Sequence, residues 1–118
     1  MLKKISRLPV LLAESLPLWE PKVDVCRTRN GWLLKFDLAG VHARDVTVSV
    51  RGRRIAVSGI RRDSILEEGS SYQSMEISYN RFERQIKMPV NLEHARVMLE
   101  ARDGLLLVRV ITEGKEYV

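Results

Sequence analysis

The sequence predicts an all-β fold, an antiparallel sandwich or barrel, and three observations predict it. Apolar residues recur at every second position in run after run. Turn residues separate the runs: Asn30-Gly31, Gly40, Gly52, Asn80 and Asp103-Gly104. Helical spacing is confined to the first twenty or so residues. Many short alternating segments punctuated by turn signals are the mark of such folds. At 118 residues, with 45% apolar and 30% charged content, the chain suits one soluble domain with a core of its own.

Residues 1–20 read as a short N-terminal arm. Leu8, Leu12 and Leu16 keep helical spacing, with Ile5 and Leu11 nearby, and Pro9 and Pro17 limit any helix to about two turns. The opening basic residues and apolar run resemble a secretory leader, but Pro9 breaks the run and Glu14 closes it early. No stretch approaches the ~20 apolar residues of a membrane span. The expected location is cytoplasmic, with no membrane partner.

From Pro21 the period becomes two, and residues 21–111 read as the sandwich. Val23 to Arg27 is a short strand. Trp32, Leu34, Phe36 and Leu38 share one face of the next, opposite Lys35 and Asp37. Val46, Val48 and Val50 alternate with Thr47 and Ser49, and Ile55 and Val57 with Arg54, Ala56 and Ser58. Met75, Ile77 and Tyr79 alternate with Glu76 and Ser78, then Phe82, Ile86 and Met88 with Glu83, Gln85 and Lys87. Val97, Leu99 and Ala101 alternate with Glu100 and Arg102. The last strand breaks the rule: six of the seven residues after Gly104 are apolar, Arg109 being the exception. One connection, the loop 61–75, is long for a compact domain. Such loops are disordered, swapped or functional. The tail is 112–118.

Arg84 lies on the same face as Phe82, Ile86 and Met88. A guanidinium on a core-facing stripe is costly unless paired, and it cannot shed its proton. Arg84 is therefore expected to meet a carboxylate or several carbonyls, within the chain or across an interface. A local twist turning it to water is the alternative.

Catalytic chemistry is hard to find. His42 and His94 lack ligand-spaced partners, and no nucleophile-base-orienter set is visible. Cys26 is a lone cysteine, which rules out an internal disulfide and reads as a small buried hydrophobe. The expectation is no enzyme, no metal and no cofactor. Net charge is +5 and the pI about 9.7, so nucleic acid is a rival partner. Arg51, Arg53, Arg54, Arg61 and Arg62 fall at the two ends of one predicted strand. Single-strand binders set exposed aromatics beside such arginines. Trp32 and Phe36 lie on the apolar stripe instead, and the patch reads as solvated surface.

The segments together resemble the α-crystallin domain of the small heat-shock proteins. The resemblance runs from about Pro21 to Val110. It is carried by Pro21-Lys22-Val23-Asp24-Val25, DLAGV at 37–41, Ile55-Ala56-Val57-Ser58-Gly59, EISYNRFER at 76–84, Met88-Pro89 and LEARDGLL at 99–106, in the family's order. It implies an immunoglobulin-like β-sandwich. Arg84 falls on the family's signature arginine, implied to support the fold and its assembly. The long loop falls where non-animal members carry an exchanged strand. Here that strand, around Ser71 to Ser74, would pair with a partner's Val23 to Arg27 to give a swapped homodimer. The implied dimer-interface residues are Val23, Val25, Tyr72 and Arg84.

The family's groove for apolar tails or clients would lie between Val46, Val48, Val50 and Val97, Leu99, Ala101. The greasy last strand then has two readings. Leu106, Val108 and Val110 face a neighbouring apolar surface or the arm, or the strand is central and apolar on both faces. Departures from the family pattern are Ala39 for a proline, Asn80 for a glycine, and Leu99 for a small alanine with Ala101 at a bulky position. No Ile-x-Ile motif follows the domain, so a dimer rather than a large oligomer is expected.

The resemblance implies an ATP-independent holdase chaperone that binds partly unfolded proteins and prevents their aggregation. It would capture them through the groove and the arm residues Leu8, Leu11, Leu12, Leu16, Leu18 and Trp19. Three other readings stay open. They are a co-chaperone or scaffolding sandwich with one dedicated partner, a subunit of a hetero-oligomeric small heat-shock assembly, and a basic nucleic-acid-binding sandwich.

Overall fold

A computed structural model describes residues 18–112, and the arm residues Leu8, Leu11, Leu12 and Leu16 and the tail 113–118 lie outside them. Seven strands follow in order: β1 Val23–Thr28, β2 Gly31–Asp37, β3 Val46–Arg51, β4 Arg54–Arg61, β5 Asn80–Lys87, β6 Arg96–Arg102 and β7 Leu105–Ile111. They form a four-stranded sheet, β1-β2-β7-β6, and a three-stranded sheet, β3-β4-β5, with every pairing antiparallel. A 3-10 turn, Ala43–Asp45, leads into β3.

The turns form where the sequence marks them. Asp103 and Gly104 both have positive φ, 54° and 80°. Two successive left-handed residues give the tight hairpin whose twist matches its strands. Asn80 has φ 77°, so asparagine fills the turn position that the family gives to glycine, as its short polar side chain allows.

The core lies between the sheets. Leu34, Phe36, Val108 and Val110 meet Ile55, Val57 and Phe82, with Leu38, Met88 and Leu92 closing the ends. β7 runs between β2 and β6, which answers the unbroken grease of its sequence. Val108 and Val110 are fully buried and Leu106 packs partly against the core, so this row does not face the arm or a neighbour. The opposite row faces outward, yet Leu107 there is only 3% exposed. Its cross-strand partners are Lys35 and Glu100, whose long stems can cover apolar surface. The strand is central and apolar on both faces.

One expected strand does not form. Met75 and Ile77 are exposed, and the chain from 62 to 79 carries no ladder. Alternation makes a strand only where an edge is there to pair with, and β4 has already ended at Arg61.

Candidate functional site

The sandwich has two long sides. On one, β5 lies beside the chain entering β1. Trp19 forms a parallel bridge with Phe82 there. Its N–H donates to Arg81 O (3.3 Å), and Glu83 N–H donates to Trp19 O (3.2 Å). Its ring packs on Phe82 with centroids 5.0 Å apart, and its Nε1 donates to Asn80 O. Trp19 thus covers the edge of β5. Arg84 donates from Nη1 to the carbonyl oxygen of buried Pro21 (3.1 Å). It is half-buried and faces the core side of β5, opposite Val57 in the ladder. Arg84 is paired within the chain, but its partner among the described residues is one carbonyl rather than the expected carboxylate or several carbonyls. Val23 packs partly against the core and Val25 is 44% exposed on β1, whose outer edge carries no strand among the described residues.

Arg61, read in the sequence as solvated surface, is a pin at one end of this side. Its guanidinium lies over Trp19 at 4.2 Å and 6.0 Å from the Tyr79 ring. Nε donates to Ser78 O (2.8 Å) and Nη1 to Ala39 O (2.9 Å). One cation ties the last turn of the long loop, the turn after β2 and the entering chain together. The sequence signal for it was weak, because an arginine beside Arg62 at a strand end reads as surface. Arg62 donates from Nε and Nη2 to Asp45 (3.1 and 3.2 Å), which holds that carboxyl below its usual range. Two of the five arginines read as solvated surface are therefore engaged within the fold. Tyr72 donates its hydroxyl to the Asp63 carboxylate, inside its own loop, and this bond pushes the phenol up to about 12.

The other long side is open. β3 and β6 are the outer strands of their sheets, and no ladder joins them. Both contribute apolar residues to the gap. At one end Val46 and Ala101 line a pocket of about 340 Å³ with Leu38, Val41 and Leu106. At the other, Val50 and Val97 line one of about 590 Å³ with Leu92 and Ala95. Val48 and Leu99 line neither. Val46, Val48 and Val97 pack partly on the core, whereas Val50 is 38% and Leu99 54% exposed. All six groove residues expected from the sequence thus fall on one side of the molecule. Leu38, Val41, Leu92 and Leu106 extend that set, and spacing alone did not show them because they come from loops and the core strands. Trp19, expected to bind clients, is engaged with β5, and Leu18 is 40% exposed. Among the described residues no group of acidic, histidine or cysteine side chains could hold a metal, and no helix is long and apolar enough to cross a membrane.

The comparisons agree with this architecture. The model of the Hsp20/alpha crystallin family matches residues 24–117. "Spore protein SP21" of Stigmatella aurantiaca is 30% identical over 90 residues, covering 76% of this chain and 53% of that protein. The solved structure of heat shock protein 16.0 from Schizosaccharomyces pombe superposes with a TM-score of 0.71 at 22% identity, covering 79% of this chain and 86% of that one. That of hspA from Xanthomonas axonopodis gives 0.68 at 23%, covering 82% and 97%. At such identities the structural likeness is one of fold. The chain spans about half the length of the curated relatives it matches, 53% and 58% for the first two.

Proposed function

Because the chain belongs to the Hsp20/alpha crystallin family, we propose that it is an ATP-independent holdase chaperone, which binds partly unfolded proteins and keeps them from aggregating. The observation that carries the reading is the open apolar gap between β3 and β6. Leu99 and Val50 stand exposed there beside two apolar-lined pockets. Unfolding proteins expose apolar area, and burying it returns about 25 cal/mol per Å². A shallow groove whose lining is largely small apolar residues binds many sequences weakly, as a holdase requires. The two flanking strands are the outer strands of their sheets among the described residues, and an outer strand is a template that an extended client segment can pair with. The functional unit in this reading is a homodimer formed by exchange of the loop strand around Ser71 to Ser74 onto a partner's β1. Among the described residues no strand lies on the outer edge of β1, which favours that arrangement.

The test is light scattering of two unrelated heat-sensitive proteins, with this protein added at rising ratio and no nucleotide. Suppression for both is expected. No suppression by protein shown to be folded would overturn the general holdase reading in favour of a dedicated partner or a mixed assembly. Deleting 64–74 is expected to give monomers by mass, and a surviving dimer would reject the exchange.

A further inference from the structure

Arg51, Arg54 and Lys87 stand directly opposite one another across β3, β4 and β5. Their chain neighbours Val50, Ile55 and Ile86 form the next row, and Ile55 is fully buried. Alternation therefore sets the three cations on the outer face of the sheet, and all three are exposed. Arg53 stands exposed beside them in the β3–β4 turn. That turn is held in place: Met88 N–H donates to Arg53 O (2.7 Å) and Leu92 N–H to Gly52 O (2.8 Å). The sequence groups Arg51, Arg53 and Arg54 with Arg61 and Arg62, but the fold sends the last two to the opposite end of β4 and brings Lys87 in their place.

Like charges directly opposite across a sheet repel and are destabilising. The other sheet avoids this. Asp24 stands opposite Lys35 there, and Glu100 lies 3.6 Å from Arg102. Among the described residues no carboxylate pairs with Arg51, Arg54 or Lys87. Protection of an edge does not account for the row, because Arg54 is on the central strand. Solubility is served by interspersed signs rather than a block of one. A bound polyanion accounts for it, since it supplies the missing countercharge.

We propose that this row binds the phosphate backbone of a nucleic-acid duplex without regard to sequence. Two inter-strand spacings put Arg51 and Lys87 ~10 Å apart, and a duplex strand passes about three phosphates in that length at ~3.4 Å of axis each. The face behind the row lets a duplex approach. It carries Ser49, Ala56 and Gln85, then Thr47, Ser58 and Glu83. Glu83 is ~13 Å behind Lys87 along the strand, and its carboxylate accepts from Gln85 Nε2 (2.9 Å). These rows hold no aromatic ring on which the bases of a single strand would stack. They hold no apolar side chain larger than alanine to enter a lipid surface. A flat sheet face enters neither groove of a duplex, so base edges go unread. Val46, Val48 and Val50 of β3 point the other way, so this site is separate from the groove of the proposed function and does not rest on it.

The experiment uses the full chain and a short labelled duplex, read by fluorescence anisotropy over a series of salt concentrations. The logarithm of the association constant should fall with that of the salt concentration at a slope near about −2.7, or about −0.9 for each of three phosphates. R54Q is expected to reduce the slope by about 0.9 and to weaken binding severalfold. R44Q makes the same charge change in the 3-10 turn at the other end of the sandwich, and is expected to leave the slope as it is. Equal responses would show a diffuse effect of net charge and overturn the site. Absence of binding at low salt, or tighter binding to the single strand or to vesicles of anionic lipid, would overturn it too. The triple variant R51Q/R54Q/K87Q is expected to bind at least about tenfold more weakly, yet to unfold at the same urea concentration or a higher one, because it relieves the repulsion. Unchanged affinity in this folded variant would reject the row as the site, and a lower urea midpoint would show that the cations already stabilise the free protein and need no anion.

Discussion

The two long sides of the sandwich face the same problem, a gap between outer strands, and solve it differently. At β5 the gap is filled by large, directional groups. Trp19 stacks on Phe82, Arg61 lies on Trp19, and Arg84 reaches the Pro21 carbonyl. At β3 and β6 the facing residues are valines, an alanine and one exposed leucine, too small to span the gap. A closed seam needs bulk with hydrogen-bonding ends, and small apolar residues leave a seam that something else can fill. The first side is closed and the second is left open.

Substitutions can break this contrast. The largest effect is expected on the closed side. Trp19→Ala removes an aromatic pair and the seat of Arg61, and should lower unfolding stability by about 2–3 kcal/mol in a urea titration. A change no larger than that of a surface substitution would show that the seam is not structural. Arg84→Ala deletes the donor to a buried carbonyl and should cost about 1–2 kcal/mol, read by the same titration. An unchanged midpoint would mean that Arg84 serves assembly alone. On the open side, Leu99→Ala should cost under ~1 kcal/mol, because the side chain is half exposed. It should nonetheless merge the two pockets and change which apolar peptides bind, by fluorescence anisotropy.

The smallest effects sharpen the picture at the long loop. Arg62 lowers the Asp45 pKa, so this pair stabilises the fold fully above the ordinary value of 3.8 and loses its contribution as pH falls through the lowered one. Arg62→Ala should move the acid-unfolding midpoint slightly upward, less so at high salt. Tyr72 has its pKa raised to about 12, so its bond to Asp63 holds below the ordinary value near 10.0 and fails as pH rises through the raised one. A tyrosinate absorbance titration should show a late phenol that Asp63→Asn brings back toward 10.0.

Much of this was legible in the sequence. Alternation located β2 to β6, because a half-buried strand must present one apolar face. The position of Val46, Val48, Val50, Val97, Leu99 and Ala101 on two strands of one side followed from the same parity together with the family resemblance. Met75 to Tyr79 misled, because alternation reports a capacity to pair and the chain itself offers no edge there. β7 stayed ambiguous, because grease on both faces does not say what covers it. Only its position between β2 and β6 decided that. Arg61 was unreadable, since its partners are carbonyls and rings brought from three separate parts of the chain. Arg84 was readable because its neighbours at strand spacing were all apolar.

The long connection between β4 and β5 has a consequence for how the chain folds. The other hairpins close through tight turns, and the 103–104 turn is preset for its strands. The β4–β5 ladder must close a loop about nine times longer than a two-residue turn. At about 0.6 kcal/mol per doubling, that adds roughly 2 kcal/mol of closure entropy. β5 should therefore dock late, and Trp19, whose backbone bridge is with Phe82 of β5, later still. A chain emerging during synthesis would complete its open groove-lining strand β3 before its closed seam. Shortening 62–79 should speed refolding while leaving the groove untouched.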